Sequence, residues 1–267
     1  MSEVPGARTF ATSGEAYDAF MGRYSRSLAP LFADSARIHA GQTVLDVGCG
    51  PGALTSELID RLGIDEVRAF DPSPSFVEAC ARRFPGVDVR VGRAEDVPFA
   101  TSSVDAALSQ LVMHFVSDPD DVIRELCRVV RPGGTVAACV WDFEKEMEML
   151  RAFWDAALSV DPDAPDQARM LRFGRPREIA DLLVAGGLTD IQEATLDVTA
   201  SYSAFDELWD GFLSGIGPAG SYCVALGDGA RAAVREEMFV RLGSPTGSFD
   251  LRAVALSASG RVPQTRP

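Results

Sequence analysis

The chain has 267 residues, of which 46% are hydrophobic and 24% are charged. A globular chain of this size can bury a complete hydrophobic core, which excludes disorder, collagen and coiled coil as descriptions of the whole chain. Lys and Arg number 25 against 39 Asp and Glu, so the formal net charge is −14 at pH 7. Such a charge repels phosphate backbones and anionic membrane surfaces, and we expect no nucleic acid partner.

The cysteines favour a reducing compartment. They are five in number, with no C-x-x-C pair and no zinc-like spacing, which is typical of small buried thiols in a cytoplasmic protein. The amino-terminal segment lacks the apolar run of a signal peptide, and no apolar stretch reaches the roughly 18 residues of a membrane span. We expect no metal site either, because the acidic run SDPDD is explained as the favourable first turn of a helix.

Two kinds of segment alternate between residues 41 and 141, about two fifths of the chain. Residues 1–15 are expected to be a loose tail, and residues 17–33 one or two short helices broken at Gly22 and Pro30. From there short apolar runs alternate with segments of helical spacing, which predicts a parallel sheet covered on both faces, with right-handed crossovers. The predicted strands are 43–47, 67–71, 87–91, 104–110 and 135–141, and the predicted helices are 51–62, 73–84 and 118–130, the last stopped by an RPGG turn.

The alternation changes after residue 141. Helices are predicted at 144–158 and 176–185, a strand at 191–200, two or three helices within 203–242, a strand at 248–257 and a tail over the last residues, GRVPQTRP. The long helical segments do not fit the simple alternation, and we expect them to form a cap over one end of the sheet.

The most informative stretch is VLDVGCGPG at 44–52, in which an apolar strand runs into three closely spaced glycines and then a helix. Such a turn lets the backbone approach a ligand at the carboxyl end of a strand, although a plain strand-to-helix turn is the alternative. The dinucleotide fingerprint is G-x-G-x-x-G, whereas Gly48, Gly50 and Gly52 give G-x-G-x-G. The Asp46 carboxylate would repel a pyrophosphate and would suit an ammonium or a sulfonium group.

Asp71 ends the second predicted strand in the sequence AFDPS. A carboxylate at this place can accept two hydrogen bonds from a ribose diol. The alternative is a cap for the helix that starts near Ser73. Because it follows the glycine loop by one strand, the ribose role is favoured.

Five segments in order resemble the successive motifs of class I S-adenosylmethionine-dependent methyltransferases: VLDVGCGPG, AFDPS, GRAEDVPF, VDAALSQLVMHFV and RVVRPGGTV. The match covers residues 41–141 and is most similar to the ubiquinone/menaquinone-biosynthesis C-methyltransferases. The resemblance implies an α/β, Rossmann-like, doubly wound sheet of seven strands, mostly parallel, with the last strand antiparallel and a helical cap. It also implies a lid segment at 1–40, an S-adenosylmethionine-binding core at 41–142, and the remaining strands with a substrate cap at 143–267.

The resemblance implies a role for each motif residue around S-adenosylmethionine. Asp46 lies near the methionyl ammonium, and Gly48 and Gly50 let the backbone pass under the methionyl part. Asp71 binds the ribose hydroxyls, and Pro72 lies beside the adenine.

Further cofactor contacts are implied outside the glycine loop. Arg93, Ala94 and Glu95 border the adenine ring, and Gln110 faces the methionyl part. In the amino-terminal segment Tyr17, Arg23 and Tyr24 close over the cofactor, with Arg23 pairing with its carboxylate. The alternative for this segment is a helix that simply packs on the sheet.

The acceptor side is less defined. Methyl transfer is an in-line displacement that leaves S-adenosylhomocysteine, so the protein mainly aligns the reactants, and an acceptor that carries a proton needs a base. We predict His114 as base or substrate ligand, with a structural histidine as the alternative, and no catalytic role for His39. If some aromatic residues of the cap face the cleft, the substrate is a small apolar or aromatic molecule. These residues are Phe153, Trp154, Phe173, Tyr202, Phe205, Trp209, Phe212 and Tyr222.

Two other functions are kept beside methyl transfer. One is a non-catalytic module that binds S-adenosylmethionine without turnover, and the other is a nicotinamide-dependent oxidoreductase, which the glycine spacing disfavours. Either a monomer or a homodimer is compatible with the sequence.

Overall fold

The computed structural model describes residues 18–264. It contains a seven-stranded sheet whose strands coincide with the apolar runs of the sequence. Four of the first five strands are largely buried, as expected where helices cover both faces of a sheet, whereas the edge strand Asp88–Val91 is mostly exposed. The strands are β1 (Val44–Val47), β2 (Val67–Asp71), β3 (Asp88–Val91), β4 (Val104–Gln110), β5 (Val130–Trp141), β6 (Thr189–Tyr202) and β7 (Phe249–Arg261).

The strand order is β3-β2-β1-β4-β5-β7-β6. Strands β1 to β5 are parallel, and β7 lies antiparallel between β5 and β6. This confirms the predicted fold class and the insertion of the last strand. Because β1 is followed on one side by β2 and on the other by β4, the order reverses between β1 and β4. Ligands of open α/β sheets bind at the carboxyl ends of strands at such a point.

Alternate side chains of the sheet enter two separate hydrophobic cores. Val44, Leu108 and Trp141 belong to one core, and their neighbours Leu45 and Val140 belong to the other. This period of two places each apolar residue against one of the two helical layers.

The helices divide between the two faces. A π-helical turn (Asp18–Gly22) leads into α1, and α1, α2, α5, α8, α9 and α10 pack against the first core, whereas α4 and α7 pack against the second. The helices are α1 (Arg23–Ser35), α2 (Ala53–Leu62), α3 (Pro74–Arg83), α4 (Pro119–Val129), α5 (Glu148–Val160), α6 (Gln167–Met170), α7 (Glu178–Ala185), α8 (Phe205–Leu213), α9 (Gly217–Ala225) and α10 (Asp228–Arg241). None of the helices in the described part of the chain is long and apolar enough to cross a bilayer.

Three sequence predictions of local structure were wrong. Pro30 lies inside α1 and does not break it, because the buried stripe that includes Leu28 and Phe32 holds the helix on the sheet despite one missing N–H. The RPGG segment ends α4 as predicted, but it forms a bulged start of β5 rather than a free turn. The first two residues of the expected carboxyl-terminal tail, Gly260 and Arg261, instead belong to β7, and Val262 exchanges backbone hydrogen bonds with Gly133 and Gly134; residues 265–267 lie outside the described residues. The expected tail at 1–15 lies outside the described residues.

Candidate active site

The glycine loop follows β1 and turns on three residues with positive φ: Gly48 (+68°), Gly50 (+53°) and Gly52 (+96°). The amides of Gly48 and Cys49 both donate to the Phe70 carbonyl of β2, at 2.9 and 3.0 Å. A Cβ on Gly48 would lie 2.6 Å from Val112 Cγ2, so a side chain there collides with the loop after β4. A Cβ on Gly50 would meet nothing within 4 Å. The loop therefore closes against the protein at Gly48 and leaves space at Gly50.

Two buried carboxyl groups lie beneath this loop. Asp46 is 1% exposed and accepts a 2.6 Å hydrogen bond from Thr55 Oγ1 of α2. Asp71 accepts from the amides of Gly50, at 2.9 Å, and Ser73, at 2.8 Å. Burial raises the pKa of Asp46 to about 7 and that of Asp71 to about 6. Near pH 7 the Asp46 carboxyl group is thus partly protonated, and a cationic or hydroxyl-bearing ligand would favour its ionised form.

A cleft of about 320 Å³ opens between the loop and α1, and we call it the glycine-loop cleft. Two of its polar atoms are buried and have no hydrogen-bond partner: Gln110 Oε1 and Ser25 Oγ. The other end of the same amide, Gln110 Nε2, donates to the Ser25 carbonyl at 3.0 Å, which fixes the side chain. The cleft is lined by Ser25, Asp46, Gly48, Cys49, Gly50, Pro51, Ala53, Leu54, Gln110 and Leu111.

The predicted cofactor residues therefore fall into three sets, of which the first lies at the glycine-loop cleft. Asp46, Gly48, Gly50 and Gln110 line the glycine-loop cleft, and Asp71 is joined to it through the Gly50 amide.

The residues predicted beside the adenine lie next to the cleft, at the same edge of the sheet. The Gly92 amide donates to the Asp71 carbonyl, which places Arg93 and Ala94 immediately beyond it. Pro72 and Arg93 are exposed, Ala94 is buried, and Glu95 accepts from the Ser117 amide at 2.8 Å. None of these four residues is among those that line the described cleft.

The structure does not bring Arg23 and Tyr24 to the cofactor site. The Arg23 guanidinium donates to Glu207 Oε1 at 2.7 Å and to the Ser201 carbonyl at 2.6 Å, and it lies 4.2 Å above the Tyr202 ring. Tyr24 is fully buried and accepts from the Tyr202 hydroxyl at 3.3 Å. Arg23 thus joins α1 to β6 and α8, and Tyr24 joins α1 to β6. These contacts agree with the alternative in which this segment is a helix that packs on the sheet. Tyr17 lies outside the described residues.

A second, larger cleft of about 450 Å³ adjoins the first, and we call it the apolar cleft. Its lining comes from the π-helical turn, the loop after β4, the end of β5 and the start of α9. The described lining residues include none with a formal charge, and the polar side chains among them are His114, Trp141 and Gln167. The lining residues are Phe20, Met21, Leu111, His114, Phe115, Trp141, Phe143, Leu150, Gln167, Ile216, Gly217, Pro218 and Ala219.

His114 is the one predicted catalytic residue, and it lies in the apolar cleft, 2% exposed. Its Nδ1 lies 2.8 Å from the Arg172 carbonyl oxygen, and its ring centroid lies 4.5 Å from that of Phe143. Its Nε2 is buried and has no hydrogen-bond partner. Burial lowers the pKa of His114 to about 4, so the imidazole is neutral near pH 7. His39, by contrast, is exposed on the loop before β1.

Leu111 lines both clefts and so marks where they meet. It adopts φ of +65°, a backbone conformation that costs a branched residue about 1–3 kcal/mol and that is common at functional sites. Its amide donates to the Cys139 carbonyl of β5 at 2.9 Å, which helps to hold this conformation.

The sequence analysis missed most of the apolar cleft. Some of the eight aromatic residues of the cap were considered as facing the cleft, but none of them is among its described lining residues, and Phe153 instead stacks on Phe212 with centroids 4.4 Å apart. Phe20, Trp141 and Phe143 line the cleft instead. A signal for Trp141 was present, since it ends the fifth parallel strand at the edge where Asp46 and Gln110 end theirs.

Comparison with known proteins places this geometry in context. Residues 45–138 match the family described as "Methyltransferase domain". An uncharacterized methyltransferase of Mycobacterium tuberculosis, Rv3342, is 40% identical over 107 residues, which are 40% of this chain and 42% of that protein. A malonyl-(acyl-carrier protein) O-methyltransferase of Halorhodospira halophila is 29% identical over 188 residues, 68% of this chain and 61% of that protein. The chain thus spans about half the length of the curated relatives that it matches.

One solved structure with a similar fold contains bound S-adenosyl-L-methionine. Phosphoethanolamine N-methyltransferase 2 of Haemonchus contortus, in complex with S-adenosyl-L-methionine, has a TM-score of 0.57 and 17% identity over 97% of this chain and 58% of that chain. Residues 45–138 thus resemble a methyltransferase domain. The family match and the named relatives support S-adenosylmethionine-dependent methyl transfer, and the solved structure shows a similar fold.

The glycine-loop cleft fits S-adenosylmethionine chemically. S-adenosylmethionine carries an ammonium, a sulfonium and a ribose diol. Two buried carboxyl groups, Asp46 and Asp71, offer acceptors for such groups, and Gln110 Oε1 offers another that no protein donor occupies. Gly50 leaves room for a ligand against the backbone.

Proposed function

We propose that the protein transfers a methyl group from S-adenosylmethionine to a small apolar or aromatic molecule by in-line displacement. The cofactor occupies the glycine-loop cleft and the acceptor occupies the apolar cleft. The observation that carries this proposal is the shared wall at Leu111, which joins a polar cleft suited to the cofactor to an uncharged cleft suited to an apolar ligand.

On the cofactor side, each residue contributes a hydrogen bond or a space. Asp46 and Gln110 hold the methionyl end, and Asp71 binds the ribose hydroxyls while it fixes the loop through the Gly50 amide. Pro72, Arg93, Ala94 and Glu95 border the adenine. When bound, the cofactor supplies a methyl group on a sulfonium sulfur, and the electron pair of the breaking C–S bond stays on that sulfur.

On the acceptor side, His114 takes the proton that the acceptor atom loses as the new bond to the methyl group forms. A neutral imidazole with a free Nε2 can accept a proton without first losing one. The apolar walls exclude water from the displacement, and the α9 start (Gly217, Pro218) closes the cleft from the cap side.

The wider organisation follows from this assignment. Residues 1–40 act as a lid segment, 41–142 as the cofactor core and 143–267 as the last strands with the substrate cap. The acidic charge and the uncharged cleft favour a small molecule over a nucleic acid as the acceptor. A cytoplasmic location and an acceptor related to those of the quinone-biosynthesis C-methyltransferases remain predictions from the sequence.

The competing function is a module that binds S-adenosylmethionine without turnover, since methyl transfer needs no universal catalytic side chain. The decisive experiment incubates the protein with methyl-labelled S-adenosylmethionine and a panel of small aromatic acceptors. We expect S-adenosylhomocysteine to form only when an acceptor is present, in equal amount to the methylated product. Tight cofactor binding without product from any acceptor would favour the binding module.

A further inference from the structure

We propose that Trp141 is a specificity-determining residue, and that the acceptor is an uncharged molecule carrying both a protonated heteroatom, bound by His114, and a separate hydrogen-bond acceptor, bound by the Trp141 indole. This inference rests on the proposed function and deepens it. It is carried by two unpartnered nitrogens in the lining of the apolar cleft.

The two nitrogens share an unusual environment. His114 and Trp141 both line the apolar cleft and are each 2% exposed. His114 Nε2 and Trp141 Nε1 are both buried and have no hydrogen-bond partner. A buried polar atom without a partner destabilises the protein, and a bound ligand that supplied the missing partners would recover much of this cost.

The two nitrogens have opposite hydrogen-bonding roles. A carbonyl oxygen can only accept, so the contact with the Arg172 carbonyl requires a proton on His114 Nδ1. In the neutral imidazole Nε2 is then the acceptor, and it needs a donor from the ligand. The indole N–H of Trp141 can only donate, and it needs an acceptor from the ligand. A ligand with one of the two groups satisfies one nitrogen, and a ligand with both satisfies the pair.

The amide oxygen of the remaining polar side chain of the lining, Gln167, already has a partner. Gln167 Oε1 accepts a 2.9 Å hydrogen bond from Trp154 Nε1, which holds the amide against the cap. The described lining contains no counter-ion for a carboxylate, a phosphate or an ammonium. Burying an unpaired ion is far costlier than burying a neutral polar group, so the cleft selects uncharged ligands.

The first test reads the nitrogens directly in the wild-type protein bound to S-adenosylhomocysteine. The chain has two histidines and three tryptophans, so nitrogen-15 spectra give few ring signals. His39→Gln and Trp209→Phe identify the control signals. We expect His114 to be the Nδ1-protonated tautomer before any ligand is added. The opposite tautomer would overturn the proposal.

The second test adds matched fragments: toluene, phenol, acetophenone, 4-hydroxyacetophenone and 4-hydroxybenzoate. We expect phenol to shift the His114 Nε2 signal and acetophenone to shift the Trp141 indole signal, whereas 4-hydroxyacetophenone shifts both. The bifunctional fragment should bind about tenfold more tightly than either single one, and the benzoate should bind more weakly than all the hydroxylated neutrals.

Variants then separate the two bonds. Trp141→Phe should remove the advantage of 4-hydroxyacetophenone over phenol and leave phenol binding unchanged. His114→Phe should remove its advantage over acetophenone. Trp209→Phe, a buried tryptophan outside the cleft lining, should change neither ratio.

The outcomes distinguish this inference from the proposed function. If the protein binds S-adenosylhomocysteine but 4-hydroxyacetophenone gains nothing over the single fragments, or no fragment binds, the Trp141 assignment is wrong and the cofactor site stands. If S-adenosylhomocysteine itself does not bind, the proposed function fails first.

Discussion

The glycine-loop cleft and the apolar cleft share Leu111, yet they are built from different kinds of residue. The first is made of backbone turns and polar groups at the ends of β1, β2 and β4, and seven of its ten lining residues fall within the short segment 46–54. The second gathers apolar side chains from positions 20 to 219, and its chemistry rests on two ring nitrogens. A cofactor site can thus be encoded in short motifs, whereas an acceptor site depends on how distant segments meet.

The apolar side of this comparison depends most on His114. His114→Phe should lower methyl transfer to a hydroxylated acceptor by about 10²- to 10⁴-fold, the usual contribution of a positioned base. The affinity for S-adenosylhomocysteine should stay within about twofold, since His114 lines only the apolar cleft. Both are measured by product formation and calorimetry, with His39→Gln as the exposed control. Retained turnover would remove His114 as the base.

The buried aromatic residues of the cap that lie outside the apolar cleft should prove structural rather than part of the recognition surface. Phe153 packs between Trp154 and Phe212 and is fully buried, so Phe153→Ala should lower the free energy of unfolding by about 3–5 kcal/mol. The preference among aromatic fragments should stay the same in the folded fraction. Denaturant unfolding and fragment titration measure the two effects. A changed preference with unchanged stability would restore the cap aromatics to the substrate site.

The glycine-loop side is tested by a matched pair of glycines. Gly50 and Gly63 both have positive φ, and an added Cβ at either meets nothing within 4 Å. Valine strains the backbone at either position, and Gly63, with φ of 90° and ψ of 153°, lies in a region that is essentially restricted to glycine, but only Gly50 lines the glycine-loop cleft. Because a side chain at position 50 would fill space in that cleft, we expect Gly50→Val to weaken S-adenosylhomocysteine binding by about 100-fold, or roughly 2.7 kcal/mol, and Gly63→Val to leave it near wild type. Equal losses in both variants would contradict this placement of the cofactor.

The contributions of Asp46 and His114 to the free energy of unfolding should change with pH in opposite directions. In the ligand-free protein, burial raises the pKa of Asp46 to about 7, so its contribution to stability falls as the pH rises from about 4 to about 7. Burial lowers the pKa of His114 to about 4, so its contribution is lost as the pH falls from about 6.5 to about 4.

The measurement is the free energy of unfolding across this range. As the pH rises, the free energy of unfolding of Asp46→Asn should increase relative to that of the wild type, and that of His114→Phe should decrease relative to it. Trends of the same sign in the two variants would show that one of the two environments is misassigned.

Arg23 should give the smallest effect. Its ion pair with Glu207 is partly exposed, with the two side chains 24% and 38% accessible, and such pairs contribute at most about 1 kcal/mol. The pair lowers the pKa of Glu207 to about 2 through the hydrogen bond from Arg23. Arg23→Gln should therefore cost little stability and leave the S-adenosylmethionine affinity unchanged. A large loss of affinity would return Arg23 to the cofactor carboxylate.

The features of the fold and the site that depend on local sequence patterns could be predicted from the sequence. Alternating apolar runs predicted the sheet and its strands, and the spacing of Gly48 and Gly50 after Asp46 predicted the glycine-loop cleft. The position of Pro30 misled because the buried face of α1 outweighs one missing backbone hydrogen bond. The role of Arg23 could not be predicted from the sequence either, because its partners Ser201 and Glu207 lie about 180 residues away along the chain.

The apolar cleft could not be predicted for a related reason. Aromatic residues concentrate in the cap, but their number does not tell which of them bury one another and which face a ligand. Phe153 and Phe212 stack on each other, whereas Phe143 packs on His114 in the lining of the apolar cleft. Leu111 carries no sequence signal at all, because its left-handed backbone is imposed by the contact with β5.

The central claim is that the glycine-loop cleft binds S-adenosylmethionine, and thermal unfolding tests it most directly. Ligand at about 100 times its dissociation constant adds roughly 2.7 kcal/mol, which raises the melting temperature of a chain this size by about 5 °C or more. We expect S-adenosylmethionine and S-adenosylhomocysteine to produce this shift, NAD to produce none, and Asp71→Ala to lose it. A shift with NAD alone, or equal shifts in Asp71→Ala and wild type, would contradict the account.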